Sequence, residues 1–363
     1  MLGLKIEKRA VPLPWVELGI LGLSVIIALL AGAILLLVQG FNPLRIYSTL
    51  FSEAFGSFSA LAKTLTKTIP LLLIGVGLAL AFKAKAWNIG APGQMIIGAI
   101  AGTGVALFLP FNLPAPVHVA LMFIVGFAAG AGLAALCAFL NYKIGLDMVI
   151  STLLLNYIVL KLLWYLLFGP WQAPGVSFPY TTALPDSLQL STIAGTIHYP
   201  TLIIGIIAVI LIHILVSRTK QGYEIRVFGE NPKAAEYAGI SRFKTIMLVM
   251  IISGGLAGIA GVGEVAGVHH MLKLGIDGSG MAYVSSFGYT AIIVAWLGKR
   301  SALGSALAAF FIAGILVGGY SLQIVERVPY AMVSAILGLI LIGLTAGMIL
   351  TRYKISFGRR KKL

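Results

Sequence analysis

The residues in this sequence that are best suited to chemistry are uncharged amides and hydroxyls within apolar runs. Asn88 and Gln94 interrupt one run in the stretch AWNIGAPGQMIIGA, residues 86–99, and Thr152 and Asn156 share a helical face in a later run, VISTLLLNYI. Such groups donate and accept hydrogen bonds, but no nucleophile, base and orienting group occur together near them. They indicate either contacts with a polar solute or hydrogen bonds that join helices.

The composition decides what kind of elements must position these side chains. Hydrophobic residues make up 59% of the chain, charged residues 10%, and the mean hydropathy is +1.01, whereas a soluble domain has about a quarter charged residues. We therefore predict an all-α polytopic membrane protein. Its 363 residues form a single transmembrane domain, 1–363, with about ten helices of roughly 20 residues each. The predicted spans are 16–38, 66–82, 93–110, 117–141, 147–169, 200–216, 243–266, 282–297, 302–320 and 331–350.

The basic residues predict the orientation of the chain. If both termini are cytoplasmic, 20 of the 26 Lys and Arg residues fall on the inner side, many of them in the segment 217–244 and in a basic tail, 351–363. This asymmetry follows the positive-inside rule. It also accounts for the net charge of +15 without nucleic-acid binding, because anionic lipid attracts juxtamembrane basic residues. The first apolar run is interpreted as an uncleaved helix, since it is too long for a signal peptide.

The segment 217–244 contains signals for a short helix outside the membrane. Asn231 is a good N-cap and Pro232 suits the first helical position, while Gly239 favours a left-handed stop. A helix this short is not stable alone. It is expected either to rest on lipid or to dock on a soluble partner.

Two regions allow more than one interpretation. The stretch around Asn88 is either a tight inner turn in which Asn88 caps the next helix, or a broken helix on a solute pathway or at an interface with another membrane subunit. Glu264, near the outer end of the seventh span, is expected to pair with Lys273, to contact a partner or to be solvated. The adjacent His269 and His270 do not have the spacing of a helical metal site, so no metal is predicted.

Three further features of the spans have structural interpretations. Lys161 is expected to extend its ammonium group toward the outer surface. A series of closely spaced glycines in the seventh span predicts close helix packing. The long outer connection between Pro170 and Pro200 is expected to form a cap, a docking surface or an aromatic belt at the membrane interface.

Two stretches resemble permease subunits of bacterial ABC importers, in the branch that includes ribose and nucleoside permeases. ENPKAAEYAGIS, residues 230–241, is similar to the cytoplasmic coupling-helix segment of that branch. WNIGAPGQ, residues 87–94, resembles the nucleoside-subgroup hallmark F-N-I-G-A-E-G-Q, with Trp87 in place of Phe and Pro92 in place of Glu. Further similarity runs through residues 41–57 and 149–158, so the resemblance covers most of the chain.

The resemblance implies a type II ABC importer-like fold, a multi-pass location in the bacterial cytoplasmic (inner) membrane, and a pathway for nucleosides. It also implies three protein partners: an ABC ATP-binding subunit, expected as a fused double ATPase; a second, homologous permease; and an extracytoplasmic nucleoside-binding lipoprotein. No phosphate-loop motif occurs in the sequence. The chain is thus expected to be a permease subunit without enzymatic activity and without a cofactor, with ATP and Mg²⁺ on the partner subunits.

The implied roles fall on two sets of residues. Coupling to the ATPase is assigned to Glu230, Asn231, Pro232, Ala234, Ala235, Tyr237 and Gly239. The candidates for the solute pathway are Asn88, Gln94, Thr152, Asn156 and Trp87.

Other functions remain open at this stage. A simple-sugar (pentose) ABC permease would have much the same sequence. An ion-coupled secondary transporter usually carries carboxylates in the middle of its spans, and here only Glu264 and His213 come near that requirement. A membrane enzyme is less favoured, because no catalytic constellation is found.

Overall fold

The computed structural model describes residues 2–8, 14–109, 113–274 and 285–359. Parts of several predicted features therefore lie outside the described residues: residue 110 of the third span, residues 282–284 of the eighth, and residues 360–363 of the basic tail.

Most of the described chain is helical, as the composition predicts. The helices are α1 (Pro14–Val38), α2 (Pro43–Phe55), α3 (Phe58–Lys83), α4 (Ala91–Phe108), α5 (Ala115–Ile144), α6 (Met148–Leu167), α7 (Tyr199–Arg218), α8 (Lys220–Glu230), α9 (Pro232–Tyr237), α10 (Arg242–Glu264), α11 (Ser285–Leu297), α12 (Ala302–Val325) and α13 (Tyr330–Arg352). Short strands are β1 (Leu2–Lys8), β2 (Thr192–Ile193), β3 (Ile197–His198) and β4 (Tyr353–Arg359). A 3₁₀ turn covers Asp186–Leu188, and a π-helical turn, Val265–His269, extends α10.

Every predicted span coincides with a helix. Among the described residues, seven helices are long and apolar enough to cross a membrane, and the other three spans coincide with shorter apolar stretches in α1, α11 and α13. The chain is thus a multi-pass membrane protein. The exact number of spans and the side on which each terminus lies stay predictions.

Several elements are not evident from the sequence. α2 is amphipathic and begins at an Asn42 cap, whose side chain accepts hydrogen bonds from the amides of Leu44 and Arg45. α8 precedes the predicted short helix, so 217–244 is largely helical. Part of the basic tail forms β4, which pairs antiparallel with β1. Periodicity alone does not reveal a strand whose partner lies at the other end of the chain.

Two compact units are distinguished in the structure: Met1–Leu61 with Gly314–Leu363, and Ala62–Ala313. In the first unit, a buried apolar core unites residues of α1, α2, α12 and α13, including Leu36, Leu50 and Ile336. Next to this core, Arg45 Nε lies 2.9 Å from a carboxylate oxygen of Glu326. The hydrogen bond from Arg45 lowers the pKa of Glu326, so this carboxylate stays ionised at neutral pH. The single transmembrane domain, 1–363, stays a prediction.

The second unit is built on close contacts between α10, α5 and α4. A Cβ atom added at Gly258 would overlap the carbonyl oxygen of Gly126, and one added at Gly98 would overlap the backbone of Gly258. Gly130 and Gly254 approach each other in the same way. The prediction that the glycines of the seventh span permit close helix packing is confirmed, because any side chain there would separate the helices.

The connection between α6 and α7 also belongs to the second unit. Its backbone amides at Thr181, Leu184 and Leu190 donate to the carbonyl oxygens of Leu272, His270 and Ala266 respectively, at 3.0, 2.7 and 2.9 Å. The connection therefore covers the π-helical turn. This arrangement corresponds to the predicted cap.

The two glycines Gly130 and Gly132 of α5 provide a matched test of this packing. A Cβ atom at Gly130 would meet the carbonyl oxygen of Gly254, whereas nothing lies within 4 Å of a Cβ atom at Gly132. We expect Gly130→Ala to lower the free energy of unfolding by about 1–3 kcal/mol, as overpacking does. Gly132→Ala should change it by no more than about 0.5 kcal/mol. Unfolding of the purified protein in detergent measures both values, and equal effects would contradict the packing account.

Candidate functional site

The break between α3 and α4 is a buried network of hydrogen bonds. Asn88 is fully buried; its amide nitrogen donates to Gln94 Oε1 at 2.9 Å and to Ser253 Oγ at 3.0 Å. Its carbonyl oxygen accepts from the amide of Gly90 and from Gln94 Nε2. Both polar atoms of the Asn88 side chain are thus satisfied by protein, as buried amides require.

Two side chains of α6 satisfy the backbone of the same break. Asn156 Oδ1 accepts from the amide of Gly93 at 2.9 Å, and Asn156 Nδ2 donates to the carbonyl oxygen of Ile89 at 3.0 Å. Thr152 Oγ1 accepts from the amide of Ile89 at 3.2 Å. We call the four side chains of Asn88, Gln94, Thr152 and Asn156, with the backbone 88–94, the polar lock.

The polar lock corrects the expectation that Asn88 caps the next helix. The N-cap residue of α4 is Gly90, which has no side chain. Asn156 supplies the cap from another helix, by accepting from the amide of Gly93 in the first turn of α4. A free amide at a helix N-terminus has no partner within its own helix, so the cap joins α4 to α6.

Small residues let the helices approach closely enough for these bonds. A Cβ atom on Gly93 would lie 2.6 Å from Asn156 Oδ1, and one on Gly90 would lie 3.0 Å from Cβ of Thr152. Pro92, which replaces the Glu of the hallmark, is buried beside Gly288 of α11, where an added Cβ atom would lie 2.5 Å from the Pro92 nitrogen. Proline suits the first turn of a helix because it lacks an amide proton that would need a partner.

Trp87 begins the break but is not part of the polar lock. Its ring stacks on Trp296 of α11, with centroids 5.7 Å apart and an interplanar angle of 10°, and contacts Phe82 at 5.4 Å. The guanidinium carbon of Arg300 lies 5.9 Å from the Trp296 ring centroid. This aromatic cluster adjoins the end of α3, where the sequence places Lys83 and Lys85.

The structure brings four of the five pathway candidates into one network. The two partners that sequence reasoning missed are Ser253 of α10 and Tyr289 of α11, whose hydroxyl lies 3.4 Å from Asn156 Nδ2. A serine within an apolar span was a signal for Ser253. Lys161, in contrast, is exposed, and its ammonium lies 4.6 Å from the Trp164 ring centroid.

The second group of candidates lies at the end of α8 and along α9, which follows it after Asn231. The side chain of Asn231 accepts from the amide of Ala234, Pro232 is the first residue of α9, and Gly239 has φ +80°. The predicted cap, start and left-handed stop are therefore confirmed. Within this chain Ala235 is fully buried, while Tyr237 is 94% exposed; the role of Ala235 in coupling stays a prediction. Of these two, only Tyr237 offers a surface to another chain.

The α8 helix contacts the end of α3 directly. Lys85 Nζ donates to the carbonyl oxygen of Glu230 at 3.0 Å. A Cβ atom on Gly229 would overlap the carbonyl oxygen of Lys83. We call this contact of Gly229 and Glu230 with Lys83 and Lys85 the α8–α3 joint. In chain order, Lys85 lies two residues before Trp87 and three before Asn88, where the polar lock begins.

A cluster of charged residues lies elsewhere in the second unit and corrects the expectation for Glu264. Glu264 is fully buried, and its nearest cation is Lys67 of α3, with Oε2 and Nζ 4.0 Å apart. It neither pairs with Lys273 nor lies at a solvated helix end. Lys67 lies within α3 and within the predicted span 66–82.

Comparisons with known proteins agree with this architecture. Residues 60–355 match the family described as branched-chain amino acid transport system / permease component. The chain is 33% identical to the glucose ABC transporter permease protein of Haloferax volcanii, over 97% of this chain and 94% of that protein.

Two further relatives are described as nucleoside permeases. The guanosine ABC transporter permease protein of Bacillus subtilis is 29% identical, over 94% of this chain and 95% of its own length. The nucleoside ABC transporter permease protein of Lactococcus lactis is 31% identical, over 82% of each chain. Because the family match covers most of the described helices, the chain belongs to the family of branched-chain amino acid transport system permease components.

Proposed function

We propose that the chain is the transmembrane subunit of an ATP-driven ABC importer and forms the pathway for nucleosides in the bacterial cytoplasmic membrane. A binding lipoprotein outside the cell delivers the solute, a second homologous permease completes the pathway, and a fused double ATPase supplies the energy. Family membership and the relatives described as guanosine and nucleoside permeases support this proposal.

The observation that carries the proposal is the position of α9. The helix α9 is capped at both ends, and its Tyr237 is exposed and available to a partner. The neighbouring helix α8 contacts α3 through the α8–α3 joint. A partner that moves α9 would therefore move the end of α3, which leads into the polar lock. Such a connection is what a permease driven from outside its own chain requires.

The proposed motion is alternating access. ATP binding draws the ATPase subunits together, they displace α8 and α9, and the α8–α3 joint carries the displacement to the break between α3 and α4. The polar lock holds this break in one arrangement through side chains of α6 and α10. If the hydrogen bonds of the polar lock changed partners, the small displacement of α8 and α9 would open the pathway on one side of the membrane.

Sugar import is the second candidate, and one observation favours it. The glucose permease of Haloferax volcanii is 33% identical over nearly the whole chain. The hallmark-like stretch 87–94 favours nucleosides, since it resembles the nucleoside subgroup. The two candidates share the same machinery and differ in the solute.

Uptake by the complete transporter tests the proposed function. We expect proteoliposomes that contain the permease pair and the ATPase, supplied with the matched binding protein, to accumulate guanosine only when ATP is present. Tyr237→Ala should reduce this uptake and weaken co-purification of the ATPase by about tenfold, or ~1.4 kcal/mol, because an exposed aromatic anchor is lost.

Tyr165→Ala is the matched control, since Tyr165 is 68% exposed on α6 and lies outside the 217–244 segment. Accumulation of guanosine without ATP, along an imposed proton or sodium gradient, would refute the ABC-importer assignment in favour of a secondary transporter. Uptake of glucose but not guanosine would favour the second candidate.

Gly229→Ala tests the α8–α3 joint. The new methyl group would overlap the carbonyl oxygen of Lys83, so α8 has to move away from α3. We expect ATP hydrolysis by the assembled complex to persist while guanosine uptake falls at least tenfold. Gly132→Ala, whose added methyl meets open space, should leave both activities unchanged. If Gly229→Ala kept both ATP hydrolysis and guanosine uptake at wild-type rates, the α8–α3 joint would not be the route by which motion of α8 reaches α3.

A graded pair of substitutions at Asn156 tests the polar lock. Asn156→Leu removes both the acceptor for Gly93 and the donor to Ile89, while Asn156→Asp keeps an acceptor. Each buried group left without a partner costs about 1–3 kcal/mol. We expect uptake to fall in the order wild type, Asp, Leu, with ATPase co-purification unchanged. Wild-type uptake in Asn156→Leu would show that this bond is dispensable for transport.

A further inference from the structure

The most unusual feature outside the polar lock is a carboxylate buried in the second unit without hydrogen bonds. Glu264, the last residue of α10, has no exposed surface, and neither of its carboxylate oxygens has a hydrogen-bond partner among the described residues. Its Oε2 atom lies 4.0 Å from Lys67 Nζ and 3.6 Å from His269 Nε2. A carboxylate ordinarily accepts several hydrogen bonds, so these oxygens lack the contacts that usually stabilise a buried charge.

Two further buried polar side chains lie against the same end of α10. His198 and Thr201 are both fully buried. Among the described residues, the two ring nitrogens of His198 and the hydroxyl of Thr201 have no hydrogen-bond partner. A Cβ atom on Gly263 would lie 2.9 Å from Thr201 Oγ1, and one on Gly267 would lie 3.0 Å from His198 Nδ1. These glycines therefore admit the start of α7 next to the residues that flank Glu264.

The backbone around Glu264 is irregular in a way that is frequent at functional sites. The helix changes from α to π over Val265–His269 and ends at His270, whose φ is +55°. Single π-helical turns of this kind are often found where a helix carries a ligand site. The connection between α6 and α7 covers the turn through the amides of Leu184 and Leu190, so the cluster is closed to solvent in this structure.

The geometry does not fit an ion pair that only joins helices. Charge-assisted hydrogen bonds between ammonium and carboxylate groups are about 2.7–2.9 Å long, and the Lys67–Glu264 separation is 4.0 Å. The Lys67 ammonium also lies 5.0 Å from the centroid of the Phe287 ring. Burial of charges is costly unless hydrogen bonds complete their environment, and a separation above 3.5 Å is compatible in distance with a hydroxyl group that bridges the two side chains.

The mixture of groups restricts the chemistry of the ligand. The carboxylate of Glu264 would repel an anionic ligand, and the ammonium of Lys67 would repel a cationic one. A neutral solute with adjacent hydroxyl groups satisfies both, because each hydroxyl donates to Glu264 and accepts from Lys67. His198 and Thr201 add neutral donors and acceptors, since burial lowers the pKa of His198 to about 4 and keeps its ring uncharged near neutral pH.

We propose that Glu264, Lys67, His269, His198 and Thr201 form a subsite that binds the vicinal hydroxyls of a neutral polyol during its passage through the permease. This inference rests on the proposed function and adds to it the part of the solute that is recognised. The pentose of a nucleoside and the ring of a hexose both carry the required hydroxyl pair. The subsite is closed in this structure, and an alternating-access cycle opens it to the solute.

The double variant Lys67→Gln, Glu264→Gln tests the subsite in the complete transporter with its binding protein. The probes are guanosine, which has the vicinal hydroxyls, and 2′,3′-dideoxyguanosine, which lacks them. We expect guanosine uptake to fall at least tenfold and dideoxyguanosine uptake to change less than twofold. Because the binding protein is the same throughout, a change in the ratio of the two uptake rates originates in the permease.

Dideoxyguanosine uptake also serves as the internal control for folding and assembly. A second control is Lys63→Gln, which removes an exposed lysine four residues from Lys67 on α3; it should leave the ratio at its wild-type value. A double variant that lowers both uptake rates in equal proportion, or neither, would refute the subsite and assign the pair a structural role.

Failure of the proposed function gives a different pattern. If the wild-type complex takes up glucose but not guanosine, the same ratio is measured with glucose and 2,4-dideoxyglucose, which has no hydroxyls on adjacent carbons. A fall of glucose uptake relative to 2,4-dideoxyglucose uptake in the double variant supports the subsite, and an unchanged ratio refutes it. A wild-type complex that takes up neither guanosine nor glucose would refute both the proposed function and the subsite.

Discussion

The backbone at the break between α3 and α4 imposes the constraint on which the second unit depends. Within a bilayer, water does not satisfy amide and carbonyl groups, so an irregular segment is stable only where protein supplies its partners. Here the partners are side chains of neighbouring helices. Asn156 accepts from Gly93 and donates to Ile89, and Thr152 accepts from Ile89. The position of α6 is thereby tied to the start of α4.

This constraint explains why glycines and a proline surround the break. Hydrogen bonds between side chain and backbone require the helices to approach within about one side-chain layer, and Gly90 and Gly93 provide that approach. Pro92 needs no partner for an amide proton. The same close packing recurs between α10 and α5, where backbone meets backbone at Gly130 and Gly254. Apolar helices gain little from burial against lipid, so van der Waals contact of this kind has to hold the bundle together.

The second unit thus contains two polar regions that differ in how fully they are satisfied. In the polar lock, the side chain of Asn88 has a partner for each polar atom. Around Glu264, the two carboxylate oxygens, the ring nitrogens of His198 and the hydroxyl of Thr201 have none among the described residues. A satisfied network specifies one arrangement, whereas buried polar groups without partners are costly. This contrast underlies the two proposals, that the polar lock changes partners during transport and that the groups around Glu264 bind a ligand.

The sequence by itself determined the features that depend on neighbouring residues. Composition predicted a membrane protein, apolar runs predicted the helices, and the caps at Asn231 and Gly239 were predicted because a cap needs only a few adjacent positions. Only the tertiary structure decided which residues meet across the chain. Asn156 lies far in sequence from the amide that it caps, Lys67 lies far from Glu264, and burial of Ala235 beside exposed Tyr237 depends on how α9 packs. Local patterns reveal that a polar residue in a span needs a partner, but the partner is chosen by the packing of helices that are distant in sequence.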